Sequence, residues 1–141
     1  MEDIYKIIEF YNPKGFGYCF NINNERKYVF MFNRLENNKY IFEINRIQNT
    51  NIRLIDHKSM RNFICKTVYN FIMVDVERVV FIVYDNEDNL AKARIRLFEI
   101  WFKCYNKRKE FKKINIQTST NEIISMIFNI NNIKFIEEIG L

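Results

Sequence analysis

Apolar positions in this chain follow two periods, and the change between them falls near residue 56. Before it, aromatic-rich runs at residues 5–10, 15–20, 27–32 and 39–47 alternate with polar spacers. A period of two sends successive side chains to opposite faces, so these runs predict four strands. The last run shows it best, with Tyr40, Phe42 and Ile44 on one face and Ile41, Glu43 and Asn45 on the other. The breaks are turn-formers. Asn12-Pro13 ends the first run, residues 21–25 make a hairpin loop, and Asn37-Asn38 supplies the next turn. Short loops between successive strands give an antiparallel meander.

After residue 56 the period lengthens. Asp56 is placed to cap a helix over about residues 57–73, in which Met60, Phe63, Ile64, Thr67, Val68 and Phe71 keep i, i+3, i+4 spacing. Residues 79–84 are too few for a helix and rich in β-branched side chains, which predicts a buried strand. That strand runs into an acidic loop, Asp85-Asn-Glu-Asp88, and then into a helix over about 89–105 with Asp88 as its N-cap. Leu90, Leu97, Phe98, Trp101 and Tyr105 form the apolar stripe of this helix, and Lys92, Arg96, Glu99 and Lys103 lie opposite. Residues 123–130 read as a late strand and 133–139 as a short closing helix. The predicted order is ββββαβαβα, a single α+β domain over residues 1–141 without repeat or linker.

At 141 residues, 48% hydrophobic and 16% aromatic, the chain can bury a substantial core and does not have the composition of a disordered one. Its 20 Asn and 23 Ile against two Ala follow AT-rich codons, so the Asn excess is read as genome bias and not as chemistry. The net charge of +5 is unevenly spread. Residues 92–113 carry nine basic and two acidic side chains, whereas residues 75–91 carry one basic and five acidic. So dense a cationic stretch attracts phosphates or an acidic protein, although a solvated helix face has the same composition. The candidate binding residues are Lys92, Arg94, Arg96, Lys103, Lys107, Arg108, Lys109, Lys112 and Lys113. Cys19, Cys65 and Cys104 are far apart and lack C-x-x-C spacing, which suggests neither a zinc site nor a disulfide framework. No apolar run approaches the roughly 18 residues of a membrane span, and the acidic start is unlike a signal peptide. The expectation is a soluble cytoplasmic protein with no membrane partner; self-association stays open.

Asp85 and Asp88 leave a buried strand together, where nucleases hold Mg²⁺ with carboxylates because this hard ion wants oxygen ligands. Helix capping and solvated turns account for the same two residues. Arg94 flanks the apolar stripe and needs a partner, since a buried unpaired charge is costly. Asp85 or Asp88 is the expected one, in a structural pair or an anion-binding cleft. His57, the only histidine, has no adjacent nucleophile and reads as a surface or helix-start residue. Aromatics on the strands with nearby cations could stack bases, but such residues are more often core. A meander followed by helix, strand and helix also resembles the acetyltransferase architecture. Residues 48–56, at the phosphate-gripping turn of that family, contain no glycine, and neither G-x-G-x-x-G nor a P-loop occurs anywhere. No cofactor is expected.

Residues 79–102 resemble the hallmark of an uncharacterised family of small bacterial domains of unknown function, common in Bacteroidetes: an apolar strand, D-x-x-D-G, then a helix with R-x-R-L-F-x-x-W-F. The matching residues are Asp85, Asp88, Arg94, Arg96, Leu97, Phe98, Trp101 and Phe102. Two positions depart from the family pattern: Asn89 replaces its glycine and Ile133 its late proline. The resemblance implies an α+β domain in a soluble bacterial protein and supplies no activity. The leading expectation is a non-catalytic binding protein for nucleic acid or an acidic protein, in a toxin–antitoxin, mobile-element or phage-defence setting. The alternative is a small Mg²⁺-dependent nuclease or phosphoryl-transfer enzyme built on Asp85, Asp88 and Arg94.

Overall fold

The computed structural model describes residues 5–13, 15–23, 25–46, 58–84, 91–120 and 122–140. The aromatic runs form β1 (Tyr5–Asn12), β2 (Gly15–Ile22), β3 (Glu25–Glu36) and β4 (Lys39–Arg46). Asn23 at φ 52° and Asn38 at φ 62° occupy the β2–β3 and β3–β4 turns of this meander. Asn tolerates the left-handed region because its short amide can hydrogen-bond locally. Gly15 and Gly17 answer a different need. A Cβ there would lie 1.8 Å from the Phe32 carbonyl oxygen and 2.3 Å from that of Phe30, so β3 crosses too close for any side chain.

The chain continues as α1 (Lys58–Val74), β5 (Val79–Tyr84), α2 (Ala91–Tyr105), β6 (Phe111–Gln117), β7 (Ile123–Asn129) and α3 (Ile133–Glu138). The α+β class and strand-first order are those expected from the sequence, with one strand, β6, added between α2 and the late strand. Its pattern hid it. Lys113 falls on the face of β6 that also carries Phe111, so a charge interrupts the alternation that marks a half-buried strand.

One seven-stranded sheet results, in the order β1-β2-β3-β4-β5-β7-β6. β4 and β5 are parallel, with α1 as their crossover, and every other pairing is antiparallel. On one face Phe16, Phe32 and Phe42, then Tyr18 and Phe30, stand in cross-strand register. Ile64, Val68 and Phe71 of α1 and Phe98, Trp101 and Phe102 of α2 close over this face to make the main core. Phe32 lies at its centre, with ring centroids of Phe71, Phe42 and Phe16 at 4.3, 4.8 and 5.2 Å. A smaller cluster on the opposite face joins Val79, Met126 and Phe128 to Phe135 of α3.

Asp56, His57, Asp85 and Asp88 lie outside the described residues. The backbone of Arg94 falls within α2, but its side chain lies outside those described.

Candidate nucleic-acid interface

Two constraints position the cationic segment. The first is the helical period of α2. Phe98, Trp101 and Phe102 are buried, which turns Lys92, Arg96, Ile100 and Lys103 to solvent. With a rise of 1.5 Å per residue the cations on this face span about 16 Å from Lys92 to Lys103. Lys103 sits in the last turn, where the helix dipole favours positive charge.

The second constraint is the link from α2 to β6. The Asn106 side chain bridges it, donating from Nδ2 to the Phe111 carbonyl at 2.7 Å and accepting from the Phe111 N–H at 3.2 Å. The Lys109 N–H closes the turn onto the Asn106 carbonyl at 3.0 Å. Lys107, Arg108 and Lys109 therefore stand exposed on a tied turn directly after α2. No ion pair joins Lys92, Arg96, Lys103, Lys107, Arg108, Lys109 or Lys112 to a described acidic residue.

Lys109 has a φ of 53°, a conformation that glycine or asparagine takes more cheaply. The other two described non-glycine residues with positive φ are asparagines. Keeping a lysine here costs about 1 kcal/mol in backbone strain. Lys109→Gly should accordingly raise stability by up to about 1 kcal/mol while removing one cation from the face. A denaturant melt checks the first effect; a lower midpoint would mean that the side chain is structurally required.

β6 divides the remaining cations. Lys112 is opposite Phe128 and faces away from α1 and α2. Lys113 is opposite Ile127, on the helix-covered face, and its side chain is only 10% exposed. Its ammonium donates to Asn115 Oδ1 at 3.0 Å and lies 3.8 Å from Glu99 Oε1. Burial lowers its pKa, and Glu99 pulls the other way. The structure thus sets Lys92, Arg96 and Lys103 on the exposed face of α2, leaves Lys107, Arg108 and Lys109 exposed on the turn that follows it, directs Lys112 to the other side of the sheet, and draws Lys113 inward.

Beneath α2 lies a polar chain that no sequence motif marks. Glu99 accepts from Asn115 Nδ2 at 2.7 Å, Ser125 Oγ donates to Asn115 Oδ1 at 2.6 Å, and the Ser125 and Tyr84 hydroxyls are hydrogen-bonded at 2.9 Å. These residues come from α2, β6, β7 and β5, so their meeting depends on strand order. The available signal was Ser125 and Tyr84 in otherwise apolar strands, since buried hydroxyls need partners. Ser125 is fully buried and held on both sides, which suits it to fixing the sheet end beneath α2.

Burial pushes the Tyr84 phenol from 10.0 up to about 12, with a smaller opposing effect from its bond to Ser125. Because the folded value is raised, this contribution is complete below pH 10 and is lost as pH rises from 10 to 12. The loss is about 2–3 kcal/mol, at roughly 1.4 kcal/mol per unit. Lys113, with its pKa lowered, offsets part of it by shedding a proton more readily in the folded state. Urea melts from pH 9 upward should therefore show a fall that is smaller in Tyr84→Phe. An equal fall in the variant would mean that another group causes it.

Among the described residues no group of three or more His, Cys, Asp or Glu could hold a metal ion. No helix among them is long and apolar enough to cross a membrane. Cys19 and Cys65 are buried, Cys104 is exposed, and none is in a disulfide.

Fold and site together define an α+β domain with a cationic helix face and turn at one side of a mixed sheet. Compared with protein-family models, curated proteins and solved structures, the chain matches none.

Proposed function

We propose that this is a non-catalytic binding protein that engages nucleic acid through the outward face of α2 and the 107–109 turn. The observation that carries this is the run of six exposed cations, Lys92, Arg96, Lys103, Lys107, Arg108 and Lys109, which no described acid neutralises. Lys39 and Lys113, by contrast, are both spent on carboxylates. A face whose cations no described acid neutralises is suited to a polyanion, because each phosphate it meets releases condensed counterions. The strained lysine at position 109 adds to this, since a charge held at a cost in stability is one a partner can use. Lys112 and Lys113 play no part in the contact.

The bacterial family resembled by residues 79–102, and a toxin–antitoxin, mobile-element or phage-defence setting, belong to the same proposal. An acidic protein is the other partner such a face would accept.

Fluorescence anisotropy with labelled single- and double-stranded DNA and RNA tests the proposal. At about 50 mM salt, where phosphate contacts are strong, one of these should bind, and EDTA should leave the binding unchanged. Binding or cleavage abolished by EDTA would instead point to a Mg²⁺-dependent phosphoryl-transfer enzyme using Asp85, Asp88 and Arg94. No binding to any of the four would leave the acidic-protein partner in its place.

A further inference from the structure

Away from the cationic face, β1 forms one edge of the sheet. It pairs with β2 on one side, and among the described residues no strand lies beyond it. An edge strand carries a row of unpaired backbone N–H and C=O groups onto which another strand can add. Folded proteins guard such edges with lysines, inward-pointing charges, prolines or bulges. β6, the opposite edge, is guarded in this way, with Lys112 exposed on one face and Lys113 on the covered face.

β1 is open by comparison. It pairs with β2 without a register shift and has no proline within it. Its two charges, Lys6 and Glu9, are of opposite sign. Ile7 lies on the helix-covered face, opposite Phe20, and Ile8 on the other, opposite Cys19. Both are 41% exposed, and Tyr11 is 75% exposed. The strand therefore shows apolar side chains on both faces together with an unpaired backbone.

The β1–β2 turn fixes which backbone groups point outward. Only residues 13 and 14 separate the paired Asn12 and Gly15, so these two close the hairpin as a hydrogen-bonded pair. Hydrogen-bonded and non-hydrogen-bonded pairs alternate along the ladder. Counting back from Asn12, residues 5, 7, 9 and 11 turn their N–H and C=O groups away from β2.

A second β1 running antiparallel must bond through the same residues, so the two-fold axis passes through a residue and not between two. Centring on Ile8 overlaps residues 5–11, and centring on Glu9 overlaps residues 6–12; any other centre overlaps fewer. The Glu9 centre sets that carboxylate against its own copy, and like charges directly opposite are destabilising. The Ile8 centre sets Ile8 against Ile8, Ile7 against Glu9 and Lys6 against Phe10. It also lays the Lys6 half of one strand along the Glu9 half of the other, so the charges are complementary.

We propose that β1 is an interaction surface for a second copy of this chain, pairing antiparallel with its own counterpart about Ile8. The contact is isologous and closed, because each β1 covers the other and leaves no further edge of that kind. Directly opposite residues share a face, so the helices of both copies lie on one side of a continuous sheet. This inference does not depend on nucleic-acid binding.

Sedimentation equilibrium of the full chain tests it. The protein should pass from monomer to dimer between about 10 and 500 µM, as suits so small an interface. Changing Ile7 and Ile8 together to Lys should weaken the dimer at least about tenfold, since exposed lysines block edge pairing. Ile116→Lys, at a position 40% exposed on β6, should leave it unchanged. In a Cys104→Ser background, Ile8→Cys should form a disulfide between copies on mild oxidation, and Ile7→Cys should not. Opposite Cα atoms of a non-hydrogen-bonded pair lie about 4.5 Å apart, within disulfide reach, only at the axis. The cross-link decides the matter should the lysine variant not fold. A monomer at about 1 mM, or assembly beyond the dimer, would overturn the proposal. So would a folded lysine variant that dimerises as before, an equal loss from Ile116→Lys, or a cross-link at position 7 as ready as at position 8.

Discussion

Changing Lys92, Arg96 and Lys103 together to Gln is expected to weaken nucleic-acid binding by about a hundredfold or more at 50 mM salt and to flatten its salt dependence. The magnitude follows from counterion release. Each phosphate neutralised adds roughly 0.9 to the slope of log affinity against log salt on duplex DNA, so three lost contacts reduce it by nearly three. The three side chains lie on the exposed face of α2 and form no described ion pairs, so the fold should be unaffected. Changing Lys112 to Gln provides the contrast, because β6 points it to the other side of the sheet. It should leave affinity and slope within about twofold and 0.3 of the starting values, less than one phosphate contact is worth. Equal effects from Lys112 and the α2 cations would indicate diffuse attraction to net charge and not a defined face.

The largest stability effect is expected at Phe32. The side chain is 0% exposed and packed among the rings of Phe16, Phe42 and Phe71. Phe32→Ala removes that buried surface and leaves a cavity between β3 and α1, at a cost of about 3–5 kcal/mol. For a chain of this size the melting temperature should fall by about 10 °C or more. Ile100→Ala is the control: the residue is 62% exposed on α2, and its loss should cost no more than about 0.5 kcal/mol. A small change at Phe32 would mean that α1 does not seat on the meander as described.

β1, exposed along most of its length, was marked by its apolar run and by the Asn12-Pro13 stop. β2, β3 and β4 were legible because each has one face under the helices, and a half-buried strand must alternate. Residues 79–84 were legible for the opposite reason: β5 lies inside the sheet between β4 and β7, and both of its faces favour apolar side chains. β6 was not legible, since Lys113 lies on its covered face and reaches Glu99 and Asn115 while most of its stem is buried. Strand order was beyond local pattern as well. That β7 inserts between β5 and β6, and that β4 runs parallel to β5, depends on pairings between residues far apart in sequence. The candidate site followed the same division. Charge density picked out residues 92–113, but which cations act together depends on the helical face and on the register of β6. The Tyr84–Ser125–Asn115–Glu99 chain could emerge only once the strands were in place.

The central claim is that nucleic acid meets this protein on the outward face of α2 and the 107–109 turn, and amide and lysine side-chain NMR during an oligonucleotide titration tests it most directly. At about 50 mM salt, where phosphate contacts hold, the resonances of Lys92, Arg96, Lys103, Lys107, Arg108 and Lys109 should move together and saturate. Those of Lys112, β1 and α3 should stay in place. Shifts centred on β1 or α3, or none on α2 while the oligonucleotide binds, would contradict the account.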